Sequence, residues 1–278
     1  APGNHDFLTP DSPYLTRKWP KNVHIFTSDT IQSVVIPELD CRIYGAGYKS
    51  MDCRGLLEGF HIQGDEKYHV AVLHGDPTQL RSPYCPVTAR QVEESGLDYL
   101  ALGHIHAGGS FRAGETLCAW PGCPMGHGFD ELGEKGVLYL EVENGTVQEE
   151  FVPLARRRYQ ILKVDLTGQS DPLSAIRTAL PVNTGEDIYR IILVGERSAE
   201  VNLPLLQQML EGDFYGLTLR DSTRAARQVW ERMEEDTLTG LFLREMDRLC
   251  RAEPENETLQ LAVRFGLAAL EGGEDVCP

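Results

Sequence analysis

Three short stretches of the chain combine residue types that bind divalent cations. They are Gly3-Asn4-His5-Asp6, His74-Gly75-Asp76 and Gly103-His104-Ile105-His106. Neutral imidazole nitrogens and amide oxygens are suitable ligands for divalent transition-metal ions. Such an ion can polarise a carbonyl or phosphoryl oxygen, so the stretches indicate a site for metal-assisted chemistry.

The most specific of these stretches is Gly103-His104-Ile105-His106. Two histidines at positions i and i+2 of a loop can both reach a pair of ions, which two-metal hydrolases hold about 3.5–4 Å apart. The preceding glycine lets the backbone approach closely. Taken singly, each stretch also has a structural interpretation without a metal. Residues 103–106 could be a turn with two incidental histidines, and the stretch around Asn4 could be a polar loop. His74 could be a hydrogen-bonded histidine at a strand end.

Both histidine-containing stretches follow predicted buried strands. Residues 68–73 form a mostly apolar run that ends at His74, and residues 98–102 form a second one that ends at Gly103. A helix predicted over residues 87–95 separates them. Because ligands of α/β sheets gather beyond the carboxyl ends of parallel strands, we expect the two stretches at the same edge of one sheet.

The remaining pattern divides the chain into three parts. Residues 1–155 contain further predicted strands at 23–27, 33–36, 41–44 and 116–119, and a hairpin of residues 136–142 and 146–152 with its turn at Asn144-Gly145. Residues 156–222 have a β-α-β-α-β pattern. Residues 223–278 are predicted to be mainly helical, with Thr237 and Asn256 as N-caps.

Composition narrows the class of protein. The chain has 278 residues and a net charge of −16, which argues against a broad non-specific surface for nucleic acid. Seven cysteines without metal-knuckle spacing are typical of reduced thiols in a cytoplasmic protein. No apolar run is long enough to span a membrane, and no signal peptide is recognisable.

In this order, the three stretches resemble the last three metal-site motifs of the calcineurin-like metallophosphoesterases. Three features are similar to those of the SbcD/YhaO-type DNA repair exonucleases within that family. They are the short separation between His74 and Gly103, the segment 121–131 and the β-α-β-α-β unit. The resemblance implies an α/β fold: a metallophosphoesterase β-sandwich flanked by helices and lacking its N-terminal part, a small α+β cap domain and C-terminal helices.

The resemblance also implies roles for individual residues. Asn4, His74 and His104 correspond to ligands of a second metal ion, and His106 corresponds to a ligand of the first. His5 corresponds to a catalytic general acid that stabilises the leaving-group oxygen. The implied cofactors are two divalent ions, with Mn²⁺ the expected species, and the implied reaction is phosphodiester hydrolysis of DNA.

One departure from the family pattern has consequences for activity. The family has two earlier motifs, Asp-x-His and Gly-Asp-x-x-Asp, and neither occurs in this sequence. Because the chain also starts at Ala1, we expect it to be an incomplete part of a longer protein. We therefore expect weak metal binding and no catalysis by this chain alone.

Two other functions remain open from the sequence. A small-molecule phosphodiesterase of the same superfamily is favoured by the acidic charge and disfavoured by the cap domain. The other is a non-catalytic scaffold that binds an SMC-like coiled-coil ATPase. In the resembled family the C-terminal region engages such an ATPase, so the resemblance allows Leu238, Leu241 and Phe242 to form a docking stripe, whereas packing on the protein's own core is the favoured interpretation. The resemblance also implies a DNA partner and allows a homodimer, and no membrane partner is expected.

Overall fold

The computed structural model describes residues 1–143, 146–197, 201–254 and 256–270. The chain forms two compact units. The first comprises Ala1–Gly126 with Glu134–Ala155, and the second comprises His127–Gly133 with Arg156–Pro278. The three-part domain division made from the sequence remains a prediction.

The first unit is built mainly from strands. Its elements are α1 (Pro13–Thr16), β1 (Gln32–Ile36), β2 (Cys41–Gly45), β3 (Tyr68–His74), α2 (Ala89–Ser95), β4 (Tyr99–Gly103), β5 (Gly109–Ala113), β6 (Thr116–Trp120), β7 (Gly136–Glu143) and β8 (Thr146–Pro153). Strands β1 to β6 form one six-stranded sheet in the order β1-β2-β3-β4-β6-β5.

The four inner strands of this sheet are parallel, and the two edge strands are antiparallel. The register of β3 and β4 pairs His74 with Gly103. The two histidine-containing stretches therefore leave the sheet at the same edge, as the sequence predicts. The apolar β3 and β4 runs form adjacent buried strands because both faces of the sheet are covered.

Each face of the sheet has its own apolar core. One core contains Leu73 and Leu100 packed with Val92 of α2. On the other face, Tyr99 and Ala119 pack with Val147 of the β7–β8 hairpin. A mixed sheet between a helix and a second, two-stranded sheet agrees with the predicted α/β fold class.

The helix α2 begins and ends at residues whose types favour those positions. Thr88 forms a capping box with Gln91, which satisfies backbone N–H groups at the start of the helix. Gly96 ends the helix with φ 76°, a conformation that glycine adopts without strain. This short, well-capped helix connects β3 to β4 and so allows their parallel pairing.

In the first unit, one predicted strand is wrong and one observed strand is missing from the predictions. Residues 23–27 do not form a strand: the N–H of Val23 bonds to the carbonyl of Pro20, and the N–H groups of Thr27 and Ser28 bond to the Gln32 side chain. The antiparallel edge strand β5 was not predicted. The turn predicted at Asn144-Gly145 lies outside the described residues, although the paired strands on either side form the predicted hairpin.

The second unit contains the predicted β-α-β-α-β pattern. Its elements are β9 (Tyr159–Asp165), α3 (Pro172–Ala179), β10 (Ile188–Val194), β11 (Glu196–Arg197), α4 (Leu203–Leu210), β12 (Gly216–Asp221), β13 (Arg224–Ala225), α5 (Arg227–Glu231), α6 (Leu238–Ala252) and α7 (Glu257–Leu270). Strands β12, β10 and β9 form a parallel sheet in that order.

The C-terminal helices pack on a small core of their own. Thr237 caps α6 as predicted, and Leu243 and Met246 of that helix are buried with Val263 of α7. Phe242 packs against this core, whereas Leu238 and Leu241 remain 70% and 59% exposed. The proposed docking stripe is therefore divided between core and surface. No helix in the described residues has the length and apolar character needed to cross a lipid bilayer.

Candidate metal centre

Three side chains with metal-binding atoms meet beyond the carboxyl ends of β3 and β4. The Nε2 atom of His74 lies 2.8 Å from Oδ1 of Asn4 and 3.2 Å from Nδ1 of His104. Two ligands bound at right angles to one ion, each about 2.1 Å from it, are about 3.0 Å apart. The observed separations are those of ordinary hydrogen bonds, and they are also short enough for the three atoms to share one divalent ion.

The loop that carries Asn4 is held in place by long-range hydrogen bonds. The backbone N–H of Tyr48 donates to the carbonyl of Pro2, and the N–H of Leu8 donates to the carbonyl of Tyr48. Within the loop, Oδ1 of Asp6 accepts the N–H of Gly3 at 2.7 Å. These bonds fix residues 2–8 beside the segment that follows β2, and Asn4 is buried as a result.

Two glycines allow the His74 ring to occupy the centre of the cluster. A Cβ atom on Gly3 would lie 2.5 Å from Nδ1 of His74, and a Cβ atom on Gly103 would lie 3.1 Å from the same atom. Only residues without a side chain fit beside the ring at Gly3, and the space at Gly103 is tight. The glycines of both motifs therefore make room for a histidine from the third.

The His74 ring is uncharged at neutral pH. Burial, with a contribution from neighbouring His104, lowers the pKa of His74 to about 4. For His104, burial lowers the pKa more than nearby Asp76 raises it, and His106 and His5 lower it further. Neutral imidazole is the form that coordinates a metal ion, so both rings are already in the required protonation state.

The hydrogen-bonding capacity of the cluster also fits a cation. With both rings neutral, the tautomer of His74 that carries its proton on Nε2 can donate it to either of two acceptors, Oδ1 of Asn4 or Nδ1 of His104. A divalent ion in place of that proton would be bound by all three atoms. The donor set therefore fits a metal ion with one oxygen and two nitrogen ligands.

The backbone of His104 is strained. Its φ angle is 98°, in a region that residues with a side chain rarely adopt. Such strain costs about 1–3 kcal/mol and concentrates at functional sites, where the surrounding structure maintains it. At the end of β4 it places the imidazole next to His74.

This strain leads to a prediction about stability. We expect His104→Gly to be more stable than His104→Ala by about 1 kcal/mol, because only glycine relieves the unfavourable φ angle. Both variants lack the imidazole, so both should bind Mn²⁺ more weakly than the wild type. Urea denaturation of the two variants measures the difference; equal stabilities would contradict a strained His104 backbone.

The other two predicted site residues, His5 and His106, lie at the rim of the cluster. Both are exposed, and both are close enough for their charge to affect the pKa of His104. The carbonyl oxygen of His106 accepts hydrogen bonds from the N–H of Cys123 and from Nζ of Lys135. The structure thus brings all five predicted residues into one region, where His74 contacts both Asn4 and His104.

Two aromatic residues beside the cluster were not found from the sequence, and Asp76 of the predicted His74-Gly75-Asp76 stretch was given no role there. The ring of Tyr48 contacts His74 edge-on with the centroids 5.3 Å apart, and the ring of Tyr84 lies 4.8 Å from that of His104. Asp76 is buried and accepts hydrogen bonds from Thr78 and Gln79, so it supports the loop after β3. For these neighbours, the one sequence signal was that Tyr48 follows shortly after β2, a strand next to β3 in the sheet.

The residue types in the cluster limit how strongly it can bind metal. Across the described residues, no group of three or more His, Cys, Asp and Glu side chains is arranged to hold a metal ion. The cluster consists of two histidines and one asparagine, and it lacks a carboxylate. Neutral ligands alone bind a divalent ion less tightly than a set that includes a negative charge.

Fold and site together define a mixed α/β protein with metal-ligand residue types beyond the carboxyl ends of adjacent parallel strands. No protein-family model matches the chain. The chain is similar to a Bacillus subtilis (strain 168) protein named "Uncharacterized metallophosphoesterase YhaO", with 32% identity over 174 residues. The match covers 59% of this chain and 41% of the relative, so the chain spans about two fifths of the relative's length. The similarity supports a relationship to metallophosphoesterases, and the mixed sheet with flanking helices is consistent with that fold.

Proposed function

We propose that this chain provides part of the active site of a metal-dependent phosphodiesterase that acts on DNA in repair. The observation that carries the proposal is the convergence of Asn4, His74 and His104, whose metal-binding atoms lie 2.8 and 3.2 Å from the central His74 nitrogen. The similarity to a protein named as a metallophosphoesterase supports phosphoester hydrolysis as the reaction. DNA as the substrate, repair as the process and Mn²⁺ as the metal are the further parts of this proposal.

Each predicted residue has a position suited to its proposed role. Asn4, His74 and His104 would hold one ion, and His106, at the exposed rim, would contribute to a second. When bound, the ions supply positive charge for the phosphate oxygens. His5 is exposed next to Asn4 and can hold a proton near a leaving-group oxygen.

The chemistry of the cluster predicts weak binding and little turnover. The three central donors are neutral, and we identify no carboxylate among the described residues that would bridge two ions. We therefore expect this chain to bind a single Mn²⁺ ion weakly and to hydrolyse phosphodiesters slowly or not at all.

The proposal is tested by calorimetric titration of Mn²⁺ into the 278-residue chain, with phosphodiesterase assays on the same preparation. We expect binding of one ion that His104→Ala weakens. Assays on DNA oligonucleotides, cyclic nucleotides and bis-p-nitrophenyl phosphate then distinguish a nuclease from a small-molecule phosphodiesterase. Absence of Mn²⁺ binding at millimolar concentration, or binding that His104→Ala does not change, would contradict the proposed role of the cluster.

A further inference from the structure

A segment next to the candidate metal centre has a charge opposite to that of the chain. Residues 12–28, here called the basic arm, contain Arg17, Lys18 and Lys21 and no Asp or Glu, in a chain of net charge −16. All three cations are exposed. None of them forms a salt bridge within the part of the chain that the structure describes.

A second basic segment, at residues 156–158, provides a contrast. Arg156 pairs with Glu186, and Arg158 donates to both carboxylate oxygens of buried Asp187. Those cations are engaged within the protein, whereas the cations of the basic arm remain available for an anionic ligand.

The basic arm also presents an aromatic surface. The rings of Tyr14 and Trp19 stack with their centroids 6.2 Å apart and their planes at 18°. Trp19 is 41% exposed, so part of its indole remains open to a ligand. A fixed aromatic ring beside cations is the combination that single-stranded nucleic acids bind, through base stacking and phosphate contacts.

A short hydrogen bond links this aromatic pair to the metal centre. The hydroxyl of Tyr14 donates to Oδ2 of Asp6 at 2.5 Å, and Oδ1 of Asp6 accepts the N–H of Gly3. The ring of Tyr14 is therefore fixed relative to the loop that contains Asn4 and His5.

We propose that Tyr14 and Trp19 form a stacking platform for an unpaired base of a single-stranded nucleic acid, with Arg17, Lys18 and Lys21 contacting its phosphates. This inference rests on the proposed function and names the form of the substrate. Bases within a duplex are stacked on one another and cannot reach the platform, so a single strand or an unpaired end is the ligand that fits.

The test is binding of a fluorescently labelled oligothymidylate of about 12 nucleotides to the full chain, followed by anisotropy. EDTA is present throughout, so the result does not depend on metal binding or hydrolysis. We expect Trp19→Ala to weaken binding about tenfold and Trp19→Phe to retain most of it, because a benzene ring can still stack. Tyr139→Ala, which removes an exposed ring from the β7–β8 hairpin, should leave the affinity unchanged.

The salt dependence tests the cations separately. We expect the double variant Lys18→Gln, Lys21→Gln to reduce the slope of log K against log salt by about 0.7 for each phosphate that a lysine no longer neutralises. Lys163→Gln, a matched exposed lysine on β9, should not change the slope. Thermal unfolding of every variant verifies that the fold is retained.

Three results would overturn the platform. The first is wild-type affinity in Trp19→Ala. The second is equal binding of thymidine monophosphate and the oligomer, which would indicate a site for a free nucleotide. The third is competition by polyglutamate as effective as that by unlabelled oligomer, which would indicate an anion site without base stacking. Because these assays contain no metal, they test the stacking platform separately from the proposed metal site. The platform can be contradicted while Mn²⁺ binding is observed, and Mn²⁺ binding can be absent while the platform binds the oligomer.

Discussion

Replacing His74 with alanine is expected to abolish measurable Mn²⁺ binding by this chain. His74 is the one ligand within hydrogen-bonding distance of both other donors, at 2.8 Å from Asn4 and 3.2 Å from His104. Loss of groups that merely orient metal ligands costs about 10–100-fold in affinity, so loss of the central ligand should cost more than about 100-fold. Calorimetric titration of the variant measures the effect.

The matched control is His127→Ala, which removes an exposed histidine of the second unit. It should bind Mn²⁺ like the wild type. Because the His74 ring also packs against Tyr48, the variant must be shown to be folded by its circular dichroism and thermal transition. Wild-type Mn²⁺ affinity in folded His74→Ala would show that the ion binds elsewhere.

The second large effect is expected from Gly3→Ala, a change that adds only a methyl group. The added Cβ would lie 2.5 Å from Nδ1 and 2.6 Å from Cε1 of His74, so the ring or the loop must move. Overpacking of this kind costs about 1–3 kcal/mol of stability. Movement of the ring also separates the donors, so we expect Mn²⁺ affinity to fall about as far as in His104→Ala.

Gly185→Ala is the control for Gly3→Ala, because no atom lies within 4 Å of a Cβ placed there. It should leave both stability and Mn²⁺ affinity near the wild-type values. Urea denaturation and calorimetry of the two variants test the steric argument. If Gly3→Ala were as stable as the wild type and bound Mn²⁺ equally well, the claim that Gly3 packs closely against the His74 ring would be contradicted.

The parts of the site on the central strands could be predicted from the sequence. Apolar runs ending at His74 and at Gly103 predict buried parallel strands, and such strands bring their carboxyl ends together. The observed pairing of His74 with Gly103 follows from that pattern. The short connection through α2, with its recognisable capping residues, makes the two strands neighbours.

Other parts of the site depend on long-range packing that has no local sequence signal. The loop of Asn4 has no regular secondary structure, and its position is set by hydrogen bonds between Pro2, Leu8 and the distant Tyr48. The contact of Tyr84 with His104 arises from a loop with irregular backbone. The strained φ angle of His104 could not be predicted either, because a histidine at a strand end usually adopts an unstrained conformation.

The incorrect strand at residues 23–27 has a related cause. Its β-branched and aromatic residues favour strand formation, which made the segment resemble a strand. A strand also needs a neighbouring strand for its backbone groups, and here the N–H of Val23 bonds to the carbonyl of Pro20 in a turn and that of Thr27 to the Gln32 side chain. Conversely, β5 contains Gly109, Ser110 and Arg112, which lower its strand propensity, and it forms a strand by pairing with β6.

The central claim is that Asn4, His74 and His104 share one divalent ion, and an anomalous-scattering experiment on crystals soaked in Mn²⁺ tests it most directly. We predict an anomalous peak within about 2.0–2.3 Å of Oδ1 of Asn4, Nε2 of His74 and Nδ1 of His104. A peak at other side chains, or none at this cluster in crystals soaked with millimolar Mn²⁺, would contradict the claim.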